Sequence, residues 1–193
     1  GDTALKPYPV CHFIHGCAEA AIALGREMSV DQIASIEALL PAATLPIVAE
    51  PASAKIDPHT DYEAKFSAQF VIATCLARGR FGLAELDQAV LRDPGLLALA
   101  AKVACKADPE TAFPEYFSGA VTVTLRDGRT HSRRVRVNLG AGDRALDLDG
   151  VTAKFRANAA MAIQEARAER IQEVVLGLDD LPASALGAAL RSA

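Results

Sequence analysis

The chain has 193 residues, of which 51% are hydrophobic and 23% charged, with a formal net charge of −4. That is enough apolar material for a core, which excludes disorder as the class. The acidic balance excludes a polybasic field for nucleic acid or an anionic membrane, the 5% aromatic content without tryptophan leaves few platforms for bases, and no apolar run reaches the roughly 18 residues of a membrane span.

Residues 5–16, LKPYPVCHFIHG, concentrate one lysine, two prolines, one cysteine and two histidines. Pro7 and Pro9 hold the lead-in extended. A helical pattern then runs from about Val10 to Met28, with Phe13, Ile14, Cys17, Ala21 and Leu24 at helical spacing. His12, His15, Glu19 and Arg26 fall on the opposite stripe, so both histidines are expected on one polar helix face near its anion-attracting start. Residues 29–48 fit either a helix, opened by a Ser29/Gln32 capping box, or a strand. Prolines 41, 46, 51 and 58 make 41–59 a predicted loop.

Thr60 and Glu63 form a clearer capping box, predicting one long buried helix from about Asp61 to Arg78. A short helix near Leu83–Leu91 follows, then another capped by Asp93 with Pro94 at its first position. KVACKAD reads as a short strand, with Val103 and Cys105 on one face. AVTVTLRDGRTHSRRVRV predicts a hairpin closed by a two-residue Asp127–Gly128 turn, one face buried and one basic. A basic strand face is ordinarily a solvated one. After a loop at 139–149, helices are expected over 151–176 and 179–192. The fold class is α+β with a helical tail.

The four cysteines, Cys11, Cys17, Cys75 and Cys105, form no CxxC pair and read as free thiols of a reducing, cytoplasmic protein. The first ten residues carry no secretory signal, and the non-methionine start suggests a processed or truncated chain. Cys11 and His15 are i, i+4, but a structural zinc site wants four ligands, and Cys17 points elsewhere on the wheel, so no metal is expected. A thiolate nucleophile beside His12 lacks a supporting strand-turn-helix context. Two readings stay open: an anion site in which Lys6 supplies charge and the histidines donate hydrogen bonds and move protons, or a partly buried helix start with incidental histidines. No GxGxxG, P-loop or HExxH occurs, so no dinucleotide, NTP or zincin site is indicated.

KPYPVCHFIHG resembles the MmgE/PrpD family, which includes 2-methylcitrate dehydratase, cis-aconitate decarboxylase and iminodisuccinate epimerase types. KFSAQFVIATCLARG at 65–79, KVACKAD, the Asp-Gly hairpin and GVTAKF at 150–155 agree in order and spacing. The resemblance implies a small α+β lid domain with an antiparallel hairpin and packed helices at 1–148. A helical segment at 149–193 would join an all-helical N-terminal domain lacking here. It further implies the C-terminal part of a cofactor-free lyase or isomerase, incomplete on its own. Such an enzyme abstracts a proton next to a carboxylate of a small di- or tricarboxylate. Lys6 matches the family's lysine, Cys11 a position that is Cys or His, and His15 the closing histidine, the expected catalytic residue. His12 departs from the arginine of many members, which would grip a carboxylate in two places. Phe70 stands where decarboxylase-like members have tyrosine and cannot donate a proton. The substrate-binding set is thus Lys6, Cys11, His12, Lys65 and Phe70. The expected partners are a polycarboxylate, the helical domain and a second copy in a homodimer, with no nucleic acid or membrane. The competing class is a non-catalytic binding or dimerisation module lacking half an active site.

Overall fold

A computed structural model describes residues 5–191. The chain divides into two compact units, one ending at Ala145 and the other beginning at Leu146.

The first unit opens with a 3-10 turn, His12–Ile14, running into helix α1, His15–Gly25. A second 3-10 turn at Val30–Gln32 leads into strand β1, Ile33–Leu40. The strand reading of this ambiguous stretch wins because Ile33, Ile36, Ala38 and Leu40 are all buried in the sheet, while Ser29 makes no capping bond. The proline-rich stretch is more ordered than a loop: helices α2, Leu45–Val48, and α3, Ala52–Ile56, are single turns, each set off by a proline.

The helix expected over 61–78 is two, α4 (Asp61–Lys65) and α5 (Ala68–Arg78). The capping box opens α4: Glu63 N–H donates to Thr60 Oγ1 at 3.1 Å and Thr60 N–H to Glu63 Oε2 at 3.2 Å. Replacing Thr60 by alanine is expected to cost about 1 kcal/mol and to lower the melting temperature by roughly 2–4 °C, read by calorimetry. The break comes from Ser67, whose hydroxyl accepts the Phe70 N–H at 3.1 Å and itself donates to the Lys55 carbonyl, starting a new helix. Gly79, in the left-handed conformation at φ 65°, ends α5. A 3-10 turn at Leu83–Leu86 and helices α6, Gln88–Leu91, and α7, Pro94–Ala100, follow, the last capped by Asp93.

Strands β2 (Val103–Ala107), β3 (Gly119–Leu125) and β4 (Thr130–Val135) complete a sheet of order β2-β1-β3-β4. β1 runs parallel to β2 and antiparallel to β3, and β3 pairs antiparallel with β4. The hairpin is present but its loop is not two residues. Leu125 N–H donates to the Arg129 carbonyl at 2.8 Å, leaving Arg126, Asp127 and Gly128 between. Of these Gly128 alone has positive φ, 87°, the signature of a three-residue loop with a glycine bulge. The basic face of the hairpin is paired: Arg134 with the buried Asp108 at 2.8 Å, and Arg136 with Glu110 at 3.7 Å; Arg133, on the opposite face, pairs with Glu27 at 2.7 Å.

α1 packs on β3, β4 and α5 around a core that includes Ile14, Leu24, Phe70, Ile72 and Val121. The seat is a glycine contact. A Cβ on Gly16 would lie 2.5 Å from the Gly119 nitrogen, and one on Gly119 would lie 2.6 Å from Cys17 Sγ. Backbone therefore touches backbone, which brings the start of α1 beside the segment leading into β3.

The second unit holds helices α8 (Leu148–Ala159), α9 (Glu165–Leu176) and α10 (Ala183–Leu190), so the single stretch expected over 151–176 is broken. Asp147 caps α8, Arg156 bonds Gln172 at 2.8 Å, and Arg167 bonds the Leu190 carbonyl at 2.9 Å. Among its described residues only Ala168, Ile171 and Val174 are buried. No described helix is long and apolar enough to cross a membrane.

Candidate functional site

The lead-in to α1 and the approach to β3 form one cluster. Lys6 Nζ donates to the Val10 carbonyl at 3.5 Å, and His15 Nε2 lies 3.4 Å from the same oxygen. The rings of His12 and His15 meet edge to face with centroids 4.5 Å apart. Tyr8 also meets His15 edge to face, at 5.3 Å, and burial pushes its phenol up. The two histidines face each other as expected, but not on a polar, solvated face: His12 is half-buried and His15 is 1% exposed. The 3-10 turn His12–Ile14 keeps the two rings on one side, since residues three apart eclipse in it, but that side is packed and not solvated.

Cys11 is half-buried, and its N–H donates to the Lys65 carbonyl at 2.7 Å. Burial raises its thiol pKa against the lowering effect of the Phe13 N–H, Lys6 and Lys55. Desolvation wins, so Cys11 lines the cluster as a neutral thiol and not as a thiolate nucleophile. Cys17, Cys75 and Cys105 are likewise held as thiols by burial, Cys105 up to about 12. Among the described residues, no three His, Cys, Asp or Glu side chains gather to hold a metal ion.

Lys65 reaches the cluster through its carbonyl; its ammonium pairs with Asp61 at 2.7 Å, one helical turn back. Phe70 is not brought to the cluster. Its side chain is fully buried on α5, edge to face with Phe81 at 6.5 Å, because the Ser67 cap turns the first residues of α5 into the core.

Three residues of the cluster carry no sequence signal. Lys55, in the proline-rich stretch, donates to the Ile47 and Phe66 carbonyls at 2.7 and 2.8 Å. Burial lowers its ammonium pKa, opposed by Cys11 and Glu63, so it stands in the field of the Cys11 thiol. Phe117 stacks on His12 with centroids 4.1 Å apart. Asn138, fully buried, bonds His12 Nε2 at 3.3 Å. Glu19, from the expected polar stripe, accepts from Leu139 N–H at 3.2 Å and from Arg144, tying the 137–144 segment to α1.

Two cationic side chains, Lys6 and Lys55, act on the Cys11 thiol beside the half-buried His12 imidazole, groups that suit an anion with several oxygens. The family model of the MmgE/PrpD C-terminal domain matches residues 8–180. The chain belongs to that family. It is 25% identical over 187 residues to the human cis-aconitate decarboxylase and 26% identical over 188 residues to the mouse protein of that name, 93% of this chain in each case. It spans 38% and 37% of the length of those relatives, so the match is to one portion of each.

Proposed function

We propose that this MmgE/PrpD chain supplies the carboxylate-binding side of a lyase or isomerase. The enzyme would act on a small di- or tricarboxylate by removing a proton next to a carboxylate. The observation that carries the reading is that Lys6, Cys11 and His12 share one electrostatic neighbourhood: burial and then the Lys6 ammonium lower the His12 pKa, and Lys6 acts on the Cys11 thiol as well. Lys6 contributes the charge, and such cations stabilise the enolate-like negative charge that develops after proton removal. The buried His15, expected from the family resemblance to carry the proton, is better placed to fix the Val10 carbonyl and the His12 ring than to touch substrate. The relatives' name points to cis-aconitate as one candidate.

The test uses the full-length protein. Lys6→Ala is expected to lower kcat/KM for cis-aconitate or 2-methylcitrate by roughly 10- to 100-fold, the loss of one charge-assisted hydrogen bond worth about 1.5–3 kcal/mol. Unchanged turnover with either acid would sink the reading.

A second observation supports a partner. In the second unit, Leu148, Val151, Phe155, Ile171, Val175 and Leu176 line an apolar groove of about 200 Å³. Leu148 is 60% exposed and Leu176 52%, more apolar surface than a solvated helix keeps. In this proposal the groove takes the helical remainder of the protein. Concentration-dependent dimerisation by light scattering would favour self-association through it instead.

A further inference from the structure

Asn138 lies far from the KPYPVCHFIHG segment in sequence and fully buried in the fold. Its amide orientation is fixed twice. The Phe117 N–H donates to Asn138 Oδ1 at 3.0 Å, so that end accepts. Asn138 Nδ2 donates to the Leu139 carbonyl at 3.3 Å, so the other end is the NH2 group. The same NH2 faces His12 Nε2 at 3.3 Å. Two donors cannot share one bond, so His12 Nε2 must present its lone pair.

We infer that Asn138 is a positioning residue that holds His12 as the neutral imidazole protonated on Nδ1, with Phe117 fixing the plane of the ring. His12 is thus left one N–H to offer, and that N–H is uncharged. Protonating Nε2 would set an N–H against the Asn138 NH2 and break the contact. Burial and the Lys6 ammonium act in the same direction, lowering the His12 pKa. His15 is the other titratable group against the ring, and it meets His12 edge to face. Glu19 is on α1 too, but its carboxylate is engaged by Arg144. The inference deepens the carboxylate-site reading. With His12 neutral, the position gives a single hydrogen bond to one oxygen and adds no charge to those of Lys6 and Lys55, so what it contributes to selectivity is the placement of one acceptor oxygen.

The decisive measurement is made on the unaltered chain, with one variant for assignment. Long-range proton–nitrogen correlation spectra of this chain with 15N-labelled histidine contain four histidines, and His12→Gln assigns the one in question. At pH 7 the expected spectrum shows His12 with a protonated Nδ1 and a bare Nε2, and a titration midpoint below 6.5. A His12 protonated on Nε2 at neutral pH would overturn the inference. Asn138→Asp keeps the acceptor for Phe117 N–H and replaces the NH2 by a carboxylate oxygen. It is expected to move the proton to Nε2 and to raise the midpoint by about one unit or more. A variant that folds with tautomer and midpoint unchanged would also overturn it. In the full-length protein, the pH profile of KM should follow the His12 midpoint in Asn138→Asp. A moved tautomer with an unmoved profile upholds the positioning and overturns the carboxylate reading instead.

Discussion

Gly16→Ala is expected to destabilise the protein by about 3 kcal/mol and to lower its melting temperature by roughly 6–12 °C. The added Cβ would lie 2.5 Å from the Gly119 nitrogen, 2.7 Å from the Ser118 carbonyl carbon and 2.8 Å from the Phe117 carbonyl oxygen. All three are backbone atoms, so no rotamer change relieves the clash; α1 or the start of β3 must move. Neither is free to do so. α1 is packed on α5 behind, and β3 is held between β1 and β4. Gly119→Ala meets Cys17 Sγ at 2.6 Å and the Cys17 nitrogen at 2.7 Å, and is expected to cost a similar amount. Because one separation of α1 from β3 relieves both clashes, the double variant should cost clearly less than the sum. Gly187→Ala, where an added Cβ meets nothing within 4 Å, is the control and should be neutral or slightly stabilising. The same displacement moves Phe117 away from His12, so a surviving Gly16→Ala protein should also lose affinity for its acid. Equal melting temperatures for Gly16→Ala and the Gly187 control would mean that helix and strand do not touch through backbone.

The elements legible in the sequence are those specified by local chemistry. Thr60 and Glu63 cap α4 as their spacing requires, Asp93 and Pro94 open α7, and Val103 begins the strand read from KVACKAD. Where local signals compete, tertiary context decides. Residues 33–40 carry apolar side chains that serve either period, and become a strand because β2 and β3 flank them. Ser67 breaks a pattern that is helical throughout by capping α5 itself. Asp127–Gly128 marks the turn but not its length, since Asp127 keeps a negative φ and Arg126 joins the loop.

The site was legible at one edge only. Lys6, Cys11 and His12 sit within seven residues and announce themselves by composition. Their partners come from elsewhere in the chain: Lys55 lies among prolines and anchors carbonyls, Phe117 counts as an ordinary core aromatic, and Asn138 stands 126 positions from His12. None of these has a spacing to detect. His15 differs from expectation in burial and not in direction: its ring meets His12 as the wheel requires, but Tyr8 also packs on it, a contact that helical periodicity does not encode.

Phe70 separates the two ways of assigning a site. The family resemblance placed it among substrate-binding residues, whereas the structure gives it no exposure and a partner in Phe81. Phe70→Ala is therefore expected to cost about 3–5 kcal/mol, the range for a large aromatic lost from a core that cannot collapse. The melting temperature should fall by roughly 6–20 °C. Phe70→Tyr conserves the ring and adds one hydroxyl. In a fully buried position that hydroxyl must find an acceptor or cost about 1–3 kcal/mol. A ring that faced substrate would behave in the opposite way. Its truncation would spare the melting temperature and raise KM, and the tyrosine would be tolerated while changing the rate or the product. Chemical denaturation of the two variants, set beside turnover of the full-length protein, separates the cases. A stable Phe70→Tyr protein that releases carbon dioxide from cis-aconitate faster than the parent would return Phe70 to the active site and make the absent hydroxyl a determinant of the reaction.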